Sequence, residues 1–205
     1  MTAPHTFTPA ELSHLRRTIE LAAEALEAGD APFGSVLTRA GGGSGPGTGT
    51  GVEEEEEVVE EVVLREDRNR IATMGDPTRH PEFELARWAA TNMDSRDRAA
   101  ATVYTSGEHC PMCAAAHAWV GIGRIVYVAS ARQLDGWMEE LRREREDGEG
   151  EGQGKEGRGK GKGKGGSPVA TLDVKTVAPG VEVLGPVPEL EGEIKRLHRR
   201  YAGLG

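Results

Sequence analysis

The chain has 205 residues and a formal net charge of −9, a length that suits one domain and excludes a large multidomain protein. Seven of its glutamates lie between residues 41 and 61, a stretch without Lys or Arg, so the rest of the chain is nearly neutral. A protein that binds the phosphate backbone usually carries a basic surface. The composition therefore disfavours a folded nucleic acid as the partner.

Two glycine-rich tracts interrupt an otherwise ordinary globular composition. They lie between residues 41 and 51 and between residues 148 and 166, and together they hold 17 of the 29 glycines. The stretch 41–57 has no apolar period, and residues 139–164 balance eight acidic against eight basic residues, which is typical of a solvated linker. We therefore expect disordered insertions at 41–57 and 141–166 within a single domain that spans residues 1–205.

The sequence carries no signal for export or for a membrane. Residues 1–8 lack a basic region followed by an apolar run, and the most apolar stretch, 114–131, is interrupted by His117 and Arg124. These features predict a cytoplasmic protein without a membrane partner.

The amino-terminal part predicts one helix and two strands. Thr8 and Glu11 form a capping box, and apolar residues follow at helical spacing, which predicts a helix at about 9–28. A short buried strand is expected at 34–39. A second strand is expected at 58–69, beyond the first insertion.

Helices alternate with apolar strands in the rest of the chain. This alternation is typical of an α/β domain in which helices cover a sheet. The predicted helices lie at about 81–92, 111–120, 133–145 and 188–201, and the predicted strands at 101–106, 124–129, 171–177 and 181–184.

The two cysteines of the chain, Cys110 and Cys113, open one of the predicted helices. Residues three apart share a helix face, so both sulfur atoms can reach one ion. With His80 they would supply three ligands and leave the fourth position of a tetrahedral zinc site open, which is the pattern of a catalytic site rather than a structural one. The alternative is a reduced, buried cysteine pair beside an unrelated histidine.

An acid stands two residues after the candidate histidine. With His80 as the cap of the helix and Pro81 at its first position, the imidazole and the carboxylate of Glu82 can turn toward one centre. Such a carboxylate can act as the general acid and base of a hydrolytic deamination. A histidine followed by an acid at this spacing is also expected about once by chance in a chain of this composition.

The motifs together resemble the zinc-dependent cytidine deaminase-like superfamily, in its branch of guanine and nucleoside deaminases and tRNA adenosine deaminases. The resemblance covers about 9–130 strongly, and 180–201 is similar to the closing strand and helix of the family. The matching segments, in the order of the family, are 30–36, 69–70, 76–82, 104–113 and 119–127.

The resemblance implies a three-layer α/β fold whose central, mixed, five-stranded sheet is flanked by helices. It implies Zn²⁺ bound by His80, Cys110 and Cys113, with Glu82 as the catalytic proton shuttle. It also implies a homodimer.

The same resemblance suggests four substrate contacts. Asn69 matches an asparagine that hydrogen-bonds the substrate, Trp119 matches an aromatic residue of the pocket wall, and Phe33 precedes the backbone that lines the base pocket in relatives. His109 stands where the family usually has proline, and Pro81 where it usually has a small residue. His109 therefore adds a titratable group that could line the pocket.

The sequence predicts a zinc-dependent hydrolytic deaminase of a free nucleobase, a nucleoside or a related amino-heterocycle, guanine-like or cytosine-like, which releases ammonia. Two alternatives stay open. The chain could be a tRNA adenosine deaminase, which would need a basic face for RNA, or the non-catalytic partner subunit of a deaminase. The second role is usually marked by loss of the shuttle carboxylate, and Glu82 is present.

Overall fold

The computed structural model describes residues 5–41, 61–149 and 169–204. The chain forms eight helices and five strands over these ranges. The helices are α1 (Pro9–Glu27), α2 (Ile71–Met74), α3 (Pro81–Asn92), α4 (Ser95–Ala99), α5 (Pro111–Val120), α6 (Ala131–Glu149), α7 (Val174–Val177) and α8 (Pro188–Tyr201), and the strands are β1 (Gly34–Ala40), β2 (Glu61–Arg68), β3 (Ala101–Gly107), β4 (Arg124–Ala129) and β5 (Val183–Leu184).

The strands form one mixed sheet in the order β2-β1-β3-β4-β5. β1 is antiparallel to both β2 and β3, whereas β3, β4 and β5 run parallel. The five-stranded sheet with flanking helices confirms the predicted fold class.

Alternate residues of the central strands feed two cores, one on each face of the sheet. Val36 and Tyr104 pack with α1, α6 and α8 on one face. Their neighbours Leu37 and Val103 pack with α3 on the other. Successive side chains of a strand point to opposite faces, so helices pack on both faces of the sheet. The domain therefore has three layers, with the sheet between two layers of helices.

Local signals account well for the helix boundaries. The predicted capping box is present, since Thr8 Oγ1 accepts from Glu11 N at 3.2 Å and Thr8 N donates to Glu11 Oε2 at 2.9 Å. The predicted helices at 81–92, 111–120 and 188–201 agree with α3, α5 and α8. Each of these three begins with proline at its first position, where the missing N–H removes no helical hydrogen bond.

The prediction of a strand at 171–177 is wrong. Val174–Val177 form the short helix α7, and β4 pairs instead with Val183–Leu184. The reason is a hydrogen bond to a residue far away in the sequence. Val174 N donates to Glu108 Oε1 at 2.9 Å, and this bond holds the backbone where α7 begins, immediately after Asp173. The two short helices α2 and α4 were also not predicted.

The two predicted insertions lie mostly outside the described residues. For 41–57, only residue 41 is described. For 141–166, residues 141–149 are the end of α6, which is therefore four residues longer at this end than the predicted helix. No helix within the described ranges has both the length and the apolar character needed to cross a membrane.

Gly34 at the start of β1 offers a test of the packing between α1 and the sheet. A Cβ there would lie 2.4 Å from both Leu21 Cβ and the Thr18 carbonyl oxygen. Gly34→Ala is therefore expected to lower the free energy of unfolding by about 3 kcal/mol, because the backbone cannot move aside easily. Urea denaturation followed by circular dichroism would measure the change.

The matched control is Gly136→Ala in α6, where an added Cβ meets nothing within 4 Å. This variant is expected to be neutral or more stable by up to about 1 kcal/mol, because alanine favours a helix over glycine. Equal stability of the two variants would contradict the described contact between α1 and β1.

Candidate functional site

Two helix starts bring the three candidate ligands together. His80 is the extended residue immediately before α3, and Cys110 is the extended residue immediately before α5, with Cys113 in the first turn of that helix. The ligand atoms of the three residues all lie within 4.8 Å of one another. Among the described residues, this is the group of histidine, cysteine and acidic side chains that could hold a metal ion.

The spacing of the donor atoms fits a tetrahedral metal ion. Cys110 Sγ lies 3.5 Å from Cys113 Sγ and 3.7 Å from His80 Nδ1. Metal–ligand bonds of about 2.3 Å to sulfur and about 2.0 Å to nitrogen would place tetrahedral ligands about 3.5–3.8 Å apart. Two soft thiolates and one imidazole are a donor set that suits zinc.

Interactions within the group favour the form of Cys110 that binds metal. The hydrogen bond from the Cys113 thiol and the neighbouring His80 lower the pKa of Cys110 to about 4. The same contact with Cys110 raises the pKa of His80. The Cys110 sulfur is therefore a thiolate at neutral pH, and the thiolate is the metal ligand.

Glu82 lies beside the three ligands and is buried. Its Oε2 is 3.7 Å from Cys113 Sγ. Its Oε1 accepts a hydrogen bond of 2.9 Å from the Thr105 hydroxyl, which in turn accepts one of 2.9 Å from the Ser35 hydroxyl. Burial raises the pKa of Glu82, so this carboxylate takes up a proton at a higher pH than an exposed one does.

The candidate ligands and Glu82 lie beside a cavity of about 360 Å³. This volume is within the range of small-molecule sites. His80, Glu82 and Cys110 form one side of the cavity. The remaining wall is mainly apolar or aromatic and includes two further carboxyl groups, those of Glu108 and Asp135. Its residues are Ala31, Phe33, Glu108, Pro111, Ala131, Leu134, Asp135, Met138, residues 169–172, His198 and Tyr201.

Glu108, which lies between β3 and the first cysteine, holds two parts of this wall by hydrogen bonds. Its Oε2 accepts from Ala131 N and its Oε1 from Val174 N, both at 2.9 Å. These bonds hold the start of α6 and the start of α7 close to the end of β3. Because both carboxylate oxygens are engaged, Glu108 acts here as a support for the wall.

The structure brings only part of the predicted substrate set to the cavity. Phe33 lines it. Asn69 lies outside the lining, is 2 % exposed, and uses its side-chain oxygen to accept from Ile71 N at 3.0 Å. His109 is also outside the lining and is buried against the ring of His117, with the ring centroids 5.3 Å apart.

Trp119 is not part of the cavity wall in this chain. Its side chain projects from α5 into solvent and is 89 % exposed, because the opposite face of the helix packs on the sheet and on α3. The homodimer implied by the resemblance stays a prediction.

Two aromatic residues of α8, His198 and Tyr201, also line the cavity. For Tyr201 the sequence leaves two interpretations open, packing on the surface, which is favoured, or folding over the site as the family resemblance implies. The sequence does not single out His198, although it lies four residues after the apolar Ile194 and therefore on the same face of the helix.

Comparisons with known proteins identify the family of the chain. Residues 10–129 match the family described as the cytidine and deoxycytidylate deaminase zinc-binding region. A guanine deaminase of Bacillus subtilis (strain 168) is 29% identical over 116 residues, which are 56% of this chain and 62% of the relative. A probable cytosine deaminase of Schizosaccharomyces pombe is 29% identical over 124 residues, 60% of this chain and 63% of the relative.

The chain thus spans less than two thirds of the length of either relative. Among solved structures, a guanine deaminase from Nitrosomonas europaea matches 98% of this chain and 88% of its own, with a TM-score of 0.55 and 16% identity. At that identity the likeness concerns the fold alone.

Metal binding should stabilise the folded chain. Adding Zn²⁺ to metal-stripped protein is expected to raise Tm, because a ligand that binds only the folded form stabilises it by about 2.7 kcal/mol at about 100 times its Kd. Cys113→Ser should remove most of the rise and reduce the metal content below one ion per chain. Differential scanning calorimetry and elemental analysis would measure both.

Met112→Ala serves as the control, because Met112 stands between the two cysteines on the same helix and offers only a thioether. It should keep both the metal content and the rise in Tm. If Cys113→Ser retained them equally, the assignment of this residue as a ligand would be wrong.

Proposed function

The chain belongs to the family defined by the cytidine and deoxycytidylate deaminase zinc-binding region, and on that premise we propose that it is a zinc-dependent hydrolytic deaminase of a free nucleobase or a related amino-heterocycle. His80, Cys110 and Cys113 would hold the Zn²⁺ ion. The observation that carries the proposal is the buried carboxylate of Glu82, which lies 3.7 Å from Cys113 Sγ and lines the same cavity as His80 and Cys110.

When bound, Zn²⁺ supplies a Lewis acid that makes water a stronger nucleophile at neutral pH. Glu82 accepts a proton from the attacking water as the new C–O bond forms at the amine-bearing carbon. It delivers that proton to the adjacent ring nitrogen. Glu82 then transfers the hydroxyl proton to the amine, the C–N bond breaks, and ammonia and a carbonyl group result.

One hydrogen bond from β3 orients the carboxylate of Glu82. The Thr105 hydroxyl can also reach the Gly107 carbonyl, 3.1 Å away, but a carboxylate is the stronger acceptor. The donation to Oε1 leaves Oε2, on the side of the ligand group, available for proton transfer. Thr105 is thus a positioning residue for Glu82.

The surroundings of the cavity favour a small, uncharged substrate. The wall is mainly apolar, and the nearby Arg79 is paired with Asp76 at 3.2 Å and with Glu84 at 3.1 Å. A paired arginine has less capacity to bind a phosphate backbone. These contacts support a free base or nucleoside over a tRNA.

Glu82→Gln tests the proposed mechanism. The amide has nearly the same shape but cannot carry the proton, so ammonia release is expected to fall by about 10²- to 10⁴-fold. A panel of guanine, cytosine, adenine, their nucleosides and amino-triazines, assayed with the zinc-loaded chain, would identify the substrate and provide the rate.

Glu84→Gln is the matched control, since Glu84 lies on the same helix and pairs with Arg79 and Arg87 at the surface. It should change the rate by less than about threefold. Unchanged activity of Glu82→Gln would remove the proposed mechanism. Inosine formation on tRNA without activity on any free base would favour the tRNA deaminase instead.

Thr105→Val tests the positioning of Glu82. Loss of a hydrogen bond to a charged group costs about 1.5–3 kcal/mol, so kcat should fall by about tenfold or more while KM changes little. Thr105→Ser, which keeps the hydroxyl, should restore most of kcat. Steady-state kinetics on the identified substrate would provide both values. Equal kcat in Thr105→Val and the wild type would show that this hydroxyl does not position the acid.

A further inference from the structure

Ser35 on β1 carries a buried hydroxyl that reaches the carboxylate of Glu82 through one neighbour. It stands directly opposite Thr105 where β1 and β3 pair antiparallel, and both residues are fully buried. The two hydroxyl oxygens lie 2.9 Å apart, as expected for a hydrogen-bonded cross-strand pair. Thr105 Oγ1 in turn lies 2.9 Å from Glu82 Oε1. The three side chains thus form a chain of hydrogen bonds that runs from β1 to the carboxylate.

The available partners decide the direction of these hydrogen bonds, because each hydroxyl has one proton to donate. Besides Ser35, Thr105 Oγ1 is near three oxygens that only accept: Glu82 Oε1, the Gly107 carbonyl at 3.1 Å and the Gly34 carbonyl at 3.5 Å. If Thr105 donated to Ser35, the Ser35 proton would have no acceptor among the described residues, and Glu82 would face an oxygen without a proton. Ser35 is therefore the donor, and Thr105 donates onward to Glu82.

The donation from Ser35 restricts what the Thr105 hydroxyl can do. It occupies one lone pair of Thr105 Oγ1, so the Thr105 proton must point away from β1. Hydrogen bonds in a chain also polarise one another, so a hydroxyl that accepts one hydrogen bond donates a stronger one. Without the Ser35 hydroxyl, Thr105 would be freer to turn its proton toward the Gly107 carbonyl, which is only slightly farther away than Glu82 Oε1.

Burial prevents solvent from replacing Ser35 in this chain of hydrogen bonds. Neither Ser35 nor Thr105 has exposed surface, and the lining of the cavity includes neither residue. Removal of a single hydroxyl would leave less space than the share of about 30 Å³ that a water molecule occupies in the liquid. The effect of Ser35 on Thr105 therefore depends on its own hydroxyl.

We propose that Ser35 is a second positioning residue of the deaminase: its hydroxyl donates to Thr105 and thereby fixes the direction in which Thr105 donates to Glu82. The inference rests on the proposed deaminase function and deepens it. It gives β1 a part in the orientation of the carboxylate that transfers the proton, although Ser35 itself lies outside the lining of the cavity.

Ser35→Ala and its combination with Thr105→Val are the principal test. For the base that the wild type deaminates fastest, Ser35→Ala is expected to lower kcat about threefold to tenfold, because one hydrogen bond between neutral groups is lost. KM should stay within about twofold, since Ser35 does not touch the substrate. The double variant should have the same kcat as Thr105→Val alone, because Ser35 acts only through the Thr105 hydroxyl. Steady-state kinetics would provide all these values.

Thr38→Val is the control for a general disturbance of β1. Thr38 is fully buried three residues further along the strand, and its hydroxyl donates to Glu61 Oε2 at 2.9 Å. Its loss should lower Tm and leave kcat unchanged. If Ser35 merely contributes to the packing of β1 on β3, Ser35→Ala will change kcat by the same factor with and without Thr105→Val, or will not change it at all. Either result would overturn the proposal and leave the deaminase function intact.

A spectroscopic measurement separates the two proposals. In zinc-loaded protein labelled with ¹³C at glutamate, the side-chain carboxyl resonance of Glu82 is assigned by its loss in Glu82→Gln. Ser35→Ala should shift this resonance in the wild type but not in Thr105→Val, and Thr38→Val should leave it in place. If the wild type released no ammonia from any base, the proposed function would fail, while these shifts would still report the connection between Ser35 and Glu82. The absence of a shift in Ser35→Ala would overturn the role of Ser35.

Discussion

The candidate site depends on the convergence of two helix starts. Proline at the first position of α3 and of α5 places an extended residue immediately before each helix, and these residues are His80 and Cys110. The two helices pack against each other on one face of the sheet. The donor atoms and the carboxylate of Glu82 therefore meet at one point, and a shift of either helix would separate them.

β3 connects this point to the rest of the cavity. Thr105 donates to Glu82, whereas Glu108, just beyond the strand, accepts from the backbone at Ala131 and Val174. The same short stretch of chain thus orients the carboxylate of Glu82 and holds the opposite wall of the cavity. A substrate in the cavity would contact parts of the fold whose relative positions are set by these hydrogen bonds.

The predictions from sequence are correct where an element is set by interactions within one turn, and wrong where it is set by residues far apart in the chain. The starts of α3 and α5 were predictable because proline at the first helical position acts within one turn. The prediction of a strand at 171–177 was wrong because the backbone N–H of Val174 donates a hydrogen bond to Glu108, which is far away in the sequence. Trp119 is a second case of this kind. The sequence around it is apolar, but which face of α5 is exposed depends on packing against distant parts of the chain.

The sequence by itself determined the kinds of ligand, their spacing and the alternation of helices and strands, because these depend on residue chemistry and local backbone preference. Only the tertiary structure decided which aromatic and histidine side chains reach the cavity. His109, His117 and His198 are all buried, and His198 alone of these three lines the cavity. That selection depends on how α8 packs over Phe33 and Trp137, and contacts between segments distant in the chain leave no local pattern in the sequence.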